Sequence, residues 1–325
     1  MKKIFALILA LCMVFALCAC GQSSSGGAAP SGEFQPDGPV TLVVAYKAGS
    51  GTDNTARLLA KYAEKYVGKT IVIENVEGAS GSQGWSQLAK ADPDGMTIGF
   101  INLPNFNSNI VAGKGSYSVD SFKAICNHVT ETSLVLVRAT DDRFPDLNSL
   151  VEYGKAHDGE LVAATNGAKA SNHIGAQAFA KSAGFNYTAV PADGTANQLL
   201  SLRGEESDFC VVKLADIAGT ESEYRILGVF SPERLPELPD VPTLGELGYY
   251  ADWLGSSRCI VAPAGVSDEV VAFYEEALKA TMADPDYLAA ATSFDTNFLD
   301  SSATAALIEQ QQAFAESLGA DFWGE

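Results

Sequence analysis

The sequence predicts an α/β fold made of two halves, each built from parallel βα units. Short runs rich in β-branched residues alternate with segments whose apolar residues recur at helical spacing, and this alternation is typical of parallel α/β proteins. The pattern begins at Val40 and starts again after Asp146. The chain has 325 residues, a length that favours two globular domains at roughly 150 residues per domain.

The first half opens with an apolar run at 40–45, whose β-branched residues predict a strand. A loop at 47–53 follows, and apolar residues then recur at helical spacing from Ala56 to about Tyr66, which predicts a helix. The other elements predicted for this half are strands at 70–74 and 97–101, a glycine-containing loop at 75–81, a helix at 82–91 and an asparagine-rich loop at 102–109.

The second half repeats the alternation and is followed by a mainly helical C-terminal part. Its predicted elements are helices at 149–157, 171–183 and 195–203, strands at 161–164, 188–191 and 208–212, and a loop at 165–170. The C-terminal part contains a predicted strand at 258–262 and helices at 267–281 and 304–318. Ser267 is the expected N-cap of the first of these helices, because Asp268 and Glu269 then lie in its first turn, where the helix dipole favours acidic residues.

Composition and charge limit the class of partner. Hydrophobic residues make up 47% of the chain and charged residues 19%, which allows a packed core and excludes a disordered or coiled-coil chain. Lys and Arg number 21 against 40 Asp and Glu, so the formal net charge is −19. This charge repels phosphate backbones and acidic membrane surfaces, and no nucleic-acid partner is expected.

The first 19 residues are predicted to be a signal peptide. Lys2 and Lys3 precede an apolar run at 4–17, which is shorter than the ~20 residues that a membrane-spanning helix needs. Residues 17–20 (LCAC) resemble the bacterial lipobox, which makes Cys20 the expected lipidation site. Residues 20–36 would then form a lipid-anchored linker of mostly small and polar residues. An ordinary cleaved signal peptide is the alternative.

The cysteines and histidines predict neither a metal site nor a cofactor. The chain has six cysteines and three histidines, without a C-x-x-C motif or any spacing typical of zinc ligands. Cys126, Cys210 and Cys259 follow the predicted lipidation site, and an odd number cannot all pair within one chain. They are expected to be buried small apolar residues, with a Cys126–Cys259 disulfide as the alternative.

Three loops carry the composition of an anion-binding site. Residues 49–53, 78–82 and 165–172 combine small residues, glycines and hydroxyls, and each leads into a predicted helix. Free backbone N–H groups and the helix dipole at such a loop favour anions, and ligands of open α/β sheets lie at the carboxyl ends of the strands. The alternative is that these are tight turns with capping residues. No G-x-S-x-G motif, Walker A motif or complete G-x-G-x-x-G motif is present, and no catalytic residue is predicted.

The same loops resemble the solute-binding proteins of tripartite tricarboxylate transporters, the Bug/TctC family. The resemblance lies in the order and spacing of VVAYKAGSGTD (43–53), VIEN (72–75), GASG (78–81) and DPDGMT (92–97). It continues through GAKASNH (167–173), VP (190–191), LPDVPT (238–243) and VAPAG (261–265). It therefore covers nearly the whole chain after the predicted linker.

The resemblance implies a two-lobed, periplasmic-binding-protein-like (type II) α/β fold with crossing hinge strands. Lobe one would comprise 37–138 and 256–325, and lobe two 139–255. The implied function is an extracytoplasmic, lipid-anchored, monomeric receptor without catalytic activity, which captures a small carboxylate-containing metabolite and delivers it to membrane permease subunits. Two other functions stay open: a ligand-presenting protein for a sensor kinase, and a secreted serine hydrolase with Ser50 or Ser80 as nucleophile.

The resemblance also implies binding residues, which come from both lobes. The candidates in the family's loop positions are Ser50, Thr52, Asp53, Ala79, Ser80, Thr165, Ser171 and Asn172. This chain departs from the family's usual pattern by carrying Lys169 in place of a glycine and Asp193 where a lysine is common. Lys47 and Lys169 would meet a carboxylate directly, or would be solvated surface residues. Alternatively, Asp53 and Asp193 would face a ligand amine, which would favour a zwitterion or an amide over a di- or tricarboxylate.

Overall fold

The computed structural model describes residues 34–292, 294, 296–319 and 322. The predicted signal peptide, Cys20 and most of the predicted linker lie outside these residues. In the part of the chain that the structure describes, no helix is both long enough and apolar enough to cross a membrane.

The first sheet is built from parallel βα units, as the alternating pattern predicts. Strand β1 (Val40–Val44) pairs in parallel with β2 (Ile71–Asn75) and with β3 (Thr97–Leu103). Helix α1 (Gly51–Val67) connects β1 to β2, and α2 (Ser82–Leu88) lies between β2 and β3. Because helices cover such a sheet, β1 has the nearly uniform apolar sequence VTLVV and is almost entirely buried.

One part of the first half differs from the prediction. Residues 102–109 were expected to form a loop, but β3 extends to Leu103 and helix α3 spans Asn105–Val111. The expectation was wrong because Phe106 and Ile110 are four residues apart on one helix face, where they pack into the apolar cluster around Trp85. The packing of this face outweighs the low helix propensity of the asparagines.

A single long strand belongs to two sheets. Strand β4 (Phe122–Arg138) pairs over Phe122–Thr132 with the antiparallel strand β9 (Gly255–Pro263), which in turn pairs with β3. From Ser133 onward β4 pairs instead with β7 (Phe209–Lys213) and, from Leu134, with β8 (Tyr224–Val229). The change of partner lies slightly upstream of residue 138, and the lobe boundaries given above stay a prediction.

The second sheet repeats the parallel arrangement. Strand β5 (Val162–Thr165) pairs in parallel with β6 (Thr188–Pro191) and β7. Three helices accompany these strands: α4 (Leu147–Ala156), α5 (Ser171–Ala183) and α6 (Gly194–Arg203). The strand order through both sheets is β2-β1-β3-β9-β4-β7-β5-β6, with β8 and β10 (Thr296–Leu299) also paired to β4.

The C-terminal helix contacts elements of both sheets. Helices α7 (Asp268–Met282), for which Ser267 is the N-cap residue as predicted, and α8 (Pro285–Ala290) precede α9 (Ser301–Ser317). Asn107 of α3 donates a hydrogen bond from Nδ2 to the Ile308 carbonyl in α9, at 3.2 Å. Lys181 of α5 donates a hydrogen bond from Nζ to the Ser317 carbonyl, at 2.5 Å. Helix α9 therefore bridges the first and second halves of the fold.

Each sheet has its own apolar core. The larger cluster of the first sheet contains Val40, Phe100 and Tyr274, and that of the second contains Phe179 and Phe209. The three described cysteines are free and buried, as predicted, and the alternative Cys126–Cys259 disulfide is absent from the described residues.

Candidate functional site

The first predicted loop forms the N-terminus of α1. Ser50 is the N-cap residue, with extended backbone angles, and its Oγ accepts a hydrogen bond from the Asp53 amide at 3.2 Å. Thr52 Oγ1 accepts a hydrogen bond from Asn102 Nδ2 at 2.8 Å. The amides of Gly51 and Thr52 donate to no acceptor among the described residues. Two N–H groups and the positive end of the helix dipole are thus available to an anion.

Asp53 shapes this loop through both of its carboxylate oxygens. Oδ2 accepts hydrogen bonds from the Gly49 amide at 2.7 Å and from Arg57 Nε at 2.9 Å, and Oδ1 accepts one from Asn75 Nδ2 at 2.9 Å. Burial alone would raise the pKa of Asp53, but these hydrogen bonds outweigh it and hold the pKa below its ordinary value. A buried carboxylate with three donors fixes the conformation of the loop.

The second loop has an unusual backbone. Gly78, Ala79, Ser80 and Gly81 all have φ between +47° and +133°, a region that non-glycine residues rarely adopt. Asn109 holds the turn by donating hydrogen bonds from Nδ2 to the Ser80 carbonyl at 3.1 Å and to the Ala79 carbonyl at 3.5 Å. The Ala79 and Ser80 amides donate to no acceptor among the described residues. Backbone strain of this kind clusters at ligand sites, where it pre-orients donors.

The lobe-two loop is organised at the N-terminus of α5. Asn172 is buried: its backbone amide donates to Asn166 Oδ1 at 3.1 Å, and its Nδ2 donates to Gln198 Oε1 at 2.7 Å. Lys213 Nζ donates to Ser171 Oγ at 3.1 Å and to Asn172 Oδ1 at 2.5 Å. The two predicted residues Ser171 and Asn172 are therefore linked by a lysine that the sequence analysis did not single out.

One small cavity brings together predicted residues from both halves of the chain. It has a volume of about 90 Å³, and both Ser80, from the second loop, and Lys169, which has φ +59°, contribute to its wall. The other lining residues are Asn105, Ser108, Asn109, Ala112, Lys114, Ala168 and Ala170. Its lining is mixed, with amides, hydroxyls and two lysines around a space that fits a carboxylate-sized group.

The remaining predicted residues do not line this cavity. Lys47 and Asp193 are exposed, and Asp193 lies at the start of α6, where its carbonyl accepts a hydrogen bond from Asn197 Nδ2 at 2.9 Å. Thr165 is buried and donates from Oγ1 to the Gly167 carbonyl at 3.4 Å. Their direct contact with a ligand stays a prediction.

A charged group at the strand crossing was missed by the sequence analysis. Arg258 on β9 forms an ion pair from Nη2 to Glu131 Oε2 on β4, at 3.1 Å. Lys213, at the end of β7, is buried. Burial lowers the pKa of Lys213 to about 8, although the negative charges of Asp216 and Glu131 act in the opposite direction; the positive charge of Arg258 adds to the lowering. The sequence signal that could have indicated these residues is a single charged residue in each of two strands made otherwise of apolar or small residues, Arg258 in GSSRCIVAP and Lys213 in FCVVK.

The described residues form no cluster of metal ligands, and no histidine lies beside Ser50 or Ser80. Across the residues that the structure describes, no group of three or more His, Cys, Asp or Glu side chains could hold a metal ion. The chain's three histidines all bind elsewhere: His128 to the Tyr287 hydroxyl, His157 to the Tyr153 carbonyl and His173 to the Lys169 amide. None of these bonds involves Ser50 or Ser80.

The chain is similar to known proteins over most of its length. A family model described as tripartite tricarboxylate transporter family receptor matches residues 55–318. Protein BugT of Bordetella pertussis is 26% identical over 263 residues, which are 77% of this chain and 78% of BugT.

Two solved structures share the fold. A TctC solute-binding protein from Polaromonas, solved without ligand, is 23% identical with a TM-score of 0.79 and covers 87% of this chain and 98% of its own. MatC of Rhodopseudomonas palustris, solved with bound malate, is 25% identical with a TM-score of 0.68 and covers 87% of this chain and 99% of its own. The predicted two-lobed, type II periplasmic-binding-protein-like fold is thereby confirmed.

Proposed function

The chain belongs to the tripartite tricarboxylate transporter family of receptors, and we propose that it captures a small carboxylate-containing metabolite between two lobes and delivers it to membrane permease subunits. The observation that carries this proposal is the cavity lined jointly by Ser80 and Lys169. Ser80 of the strained turn contributes to its wall from the first half of the chain, and Lys169 contributes from the second half.

The chemistry of the loops supports an anionic group on the solute. The N-terminus of α1 and the turn at 78–81 offer backbone amides without acceptors, and such donors bind carboxylates without needing a charged partner. MatC, a structural neighbour, was solved with malate bound. The net charge of −19 gives an approaching anion no long-range attraction, so the affinity must come from these local donors.

The proposal extends to the anchor and to the absence of catalysis. The receptor is extracytoplasmic, is tethered to the cell membrane through a lipid on Cys20, acts as a monomer and does not transform its solute. The hydrogen bonds of the three histidines support the last point, because none of them places an imidazole beside Ser50 or Ser80.

The test begins with native mass spectrometry of gently purified protein, which would identify any solute retained between the lobes. Calorimetric titration with that solute and with malate then measures affinity for Lys169→Ala, with Lys61→Ala, an exposed residue of α1, as the matched control. We expect the Lys169 variant to bind a carboxylate about tenfold more weakly, since a hydrogen bond to a charged group contributes about 1.5–3 kcal/mol. A retained solute without any acidic group, or turnover of an ester or amide, would overturn the proposal.

A further inference from the structure

Three charged side chains meet where β4 changes partner. Arg258 comes from β9, Glu131 from β4 just before the change, and Lys213 from the end of β7 beside Ser133. The side chains of Arg258 and Glu131 are 16% and 15% exposed, and Lys213 is 5% exposed. The group is therefore largely buried but still open to solvent at Arg258 and Glu131.

The positive charges in this group are not balanced. Glu131 pairs with Arg258, and Arg258 Nη1 is a buried nitrogen without a hydrogen-bond partner among the described residues. Lys213 Nζ donates only to two neutral oxygens, which leaves one of its three N–H donors unused. Asp216 lies near Lys213, but Asp216 is exposed and uses Oδ2 to accept from the Lys213 amide. Within this group of three side chains two cations face one carboxylate, and the further carboxylate that acts on Lys213, Asp216, does so from an exposed position.

The N-terminus of α1 adds a third positive feature. A Cβ placed on Gly51 would lie 3.9 Å from Arg258 Nη2, so the guanidinium is next to the first helical residue. The helix dipole repels a cation at this end, and the amides of Gly51 and Thr52 have no acceptor among the described residues. The guanidinium and the two amides without acceptors thus place positive charge at one point of the structure.

We propose that Arg258 and Lys213 form an anion subsite where β4 changes partner, which binds an acidic group of the solute by direct charge pairing. This inference rests on the proposed function and adds to it the residues that recognise a charged group of the solute.

The subsite and the cavity are connected by polar side chains. Asn105, which lines the cavity with Ser80 and Lys169, donates from Nδ2 to the Tyr46 hydroxyl at 3.4 Å. Burial raises the pKa of Tyr46 to about 12, while the nearby charge of Arg258 acts in the opposite direction. We expect a solute with an acidic group at each end to occupy both places, which makes a dicarboxylate the favoured ligand class.

The test uses malate, succinate, glutarate and adipate as probes, together with the monoamide of each. We expect the wild-type protein to bind at least one dicarboxylate, and to bind the matching monoamide about 10- to 100-fold more weakly, because the monoamide has only one carboxylate for the two places. Arg258→Gln and Lys213→Met should each remove most of this preference. Arg203→Gln, which breaks an exposed ion pair with Glu223, is the matched control and should keep it.

A second pair of measurements separates recognition from folding. The double variant Arg258→Gln/Glu131→Gln removes both partners of the ion pair together, so neither of them is left as an unpaired charge, and it should fold and still lose the preference. In the wild type, dicarboxylate affinity should fall between pH 7 and 9.5 as Lys213 loses its proton, and this fall should be absent in Lys213→Met. Circular dichroism confirms that each variant is folded.

Each result decides the inference independently of the proposed function. A wild-type protein that binds dicarboxylate and monoamide within threefold, or an Arg258→Gln protein with unchanged preference, would overturn the subsite and leave the receptor function standing. Binding of none of the four dicarboxylates would also overturn it. The receptor function would fail separately, through a retained solute without an acidic group.

Discussion

Replacing Lys213 should change how the stability of the folded protein depends on pH. The ammonium group is buried beside Arg258, and burial lowers its pKa from 10.5 to about 8. In the unfolded chain the lysine keeps its proton up to about pH 10.4. Between these two values the unfolded state binds more protons than the folded state, so the free energy of unfolding rises with pH.

The size of the effect follows from the difference between the two pKa values. Values of 10.5 and about 8 differ by about 2.5, and each unit corresponds to about 1.4 kcal/mol, so Lys213 contributes an increase of about 3 kcal/mol across this range. Lys213→Met removes the titrating group and keeps a side chain of similar length. The unfolding free energy of the wild type should therefore gain about 3 kcal/mol relative to the variant between pH 7 and pH 10.5.

Urea denaturation of solute-free protein at closely spaced pH values and constant salt provides the measurement. Comparing the two proteins at each pH cancels the titration of all other groups. Lys61→Met, at an exposed position of α1, should follow the wild type at every pH. Parallel curves for the wild type and Lys213→Met would show that the ammonium group is not desolvated, and would refute the reasoning.

Three further predictions concern the core, the hinge and the loops. Burial, and to a smaller extent the charge of Arg258, lowers the pKa of His128 to about 3. The free energy of unfolding should therefore fall by up to about 5 kcal/mol as the pH drops from 6.5 to 3. In acid-unfolding curves, His128→Phe should make this fall smaller. Gly255→Ala should lower the denaturation midpoint strongly, because its Cβ would lie 2.1 Å from a β4 carbonyl oxygen, whereas Gly38→Ala meets only a methyl group at 3.7 Å. Asp53→Ala and Ser171→Ala should each weaken solute binding in calorimetry without unfolding the protein, and unchanged affinity in both would remove these residues from the site.

The elements that the sequence predicted well are those specified by local pattern. The β1 sequence VTLVV identifies a buried strand by composition alone, and the match of residues 55–318 to the receptor family confirms the resemblance seen in the loops. Strand β4 was not predicted, because its 17 residues FKAICNHVTETSLVLVR join two stretches that pack into different sheets. A half-buried strand alternates apolar and polar residues, and a fully buried strand is apolar throughout. The β4 sequence follows neither pattern over its whole length.

The features of the candidate site fall into the same two groups, those set by local sequence and those set by contacts between distant residues. The loops at 49–53 and 78–81 were predictable because glycine and hydroxyl residues at a helix start act on their own neighbours. The strain at Ala79 depends on Asn109, a residue on another helix. The grouping of Glu131, Lys213 and Arg258 requires three strands far apart in sequence to meet at the crossing. Contacts between residues so far apart in the chain cannot be predicted from a local sequence pattern.

The proposed anion subsite would couple binding of the solute to closure of the two sheets. Arg258 lies on a strand of the first sheet and Lys213 on a strand of the second, with Glu131 beside the point where β4 passes between them. An anion bound by both cations would be held from both sheets at once, so its binding energy would favour the arrangement in which the two strands are close. Without the anion, repulsion between the two cations, which Glu131 reduces, would oppose that arrangement. A neutral solute would leave this repulsion in place. The two residues of the proposed subsite would therefore also make closure depend on the charge of the solute.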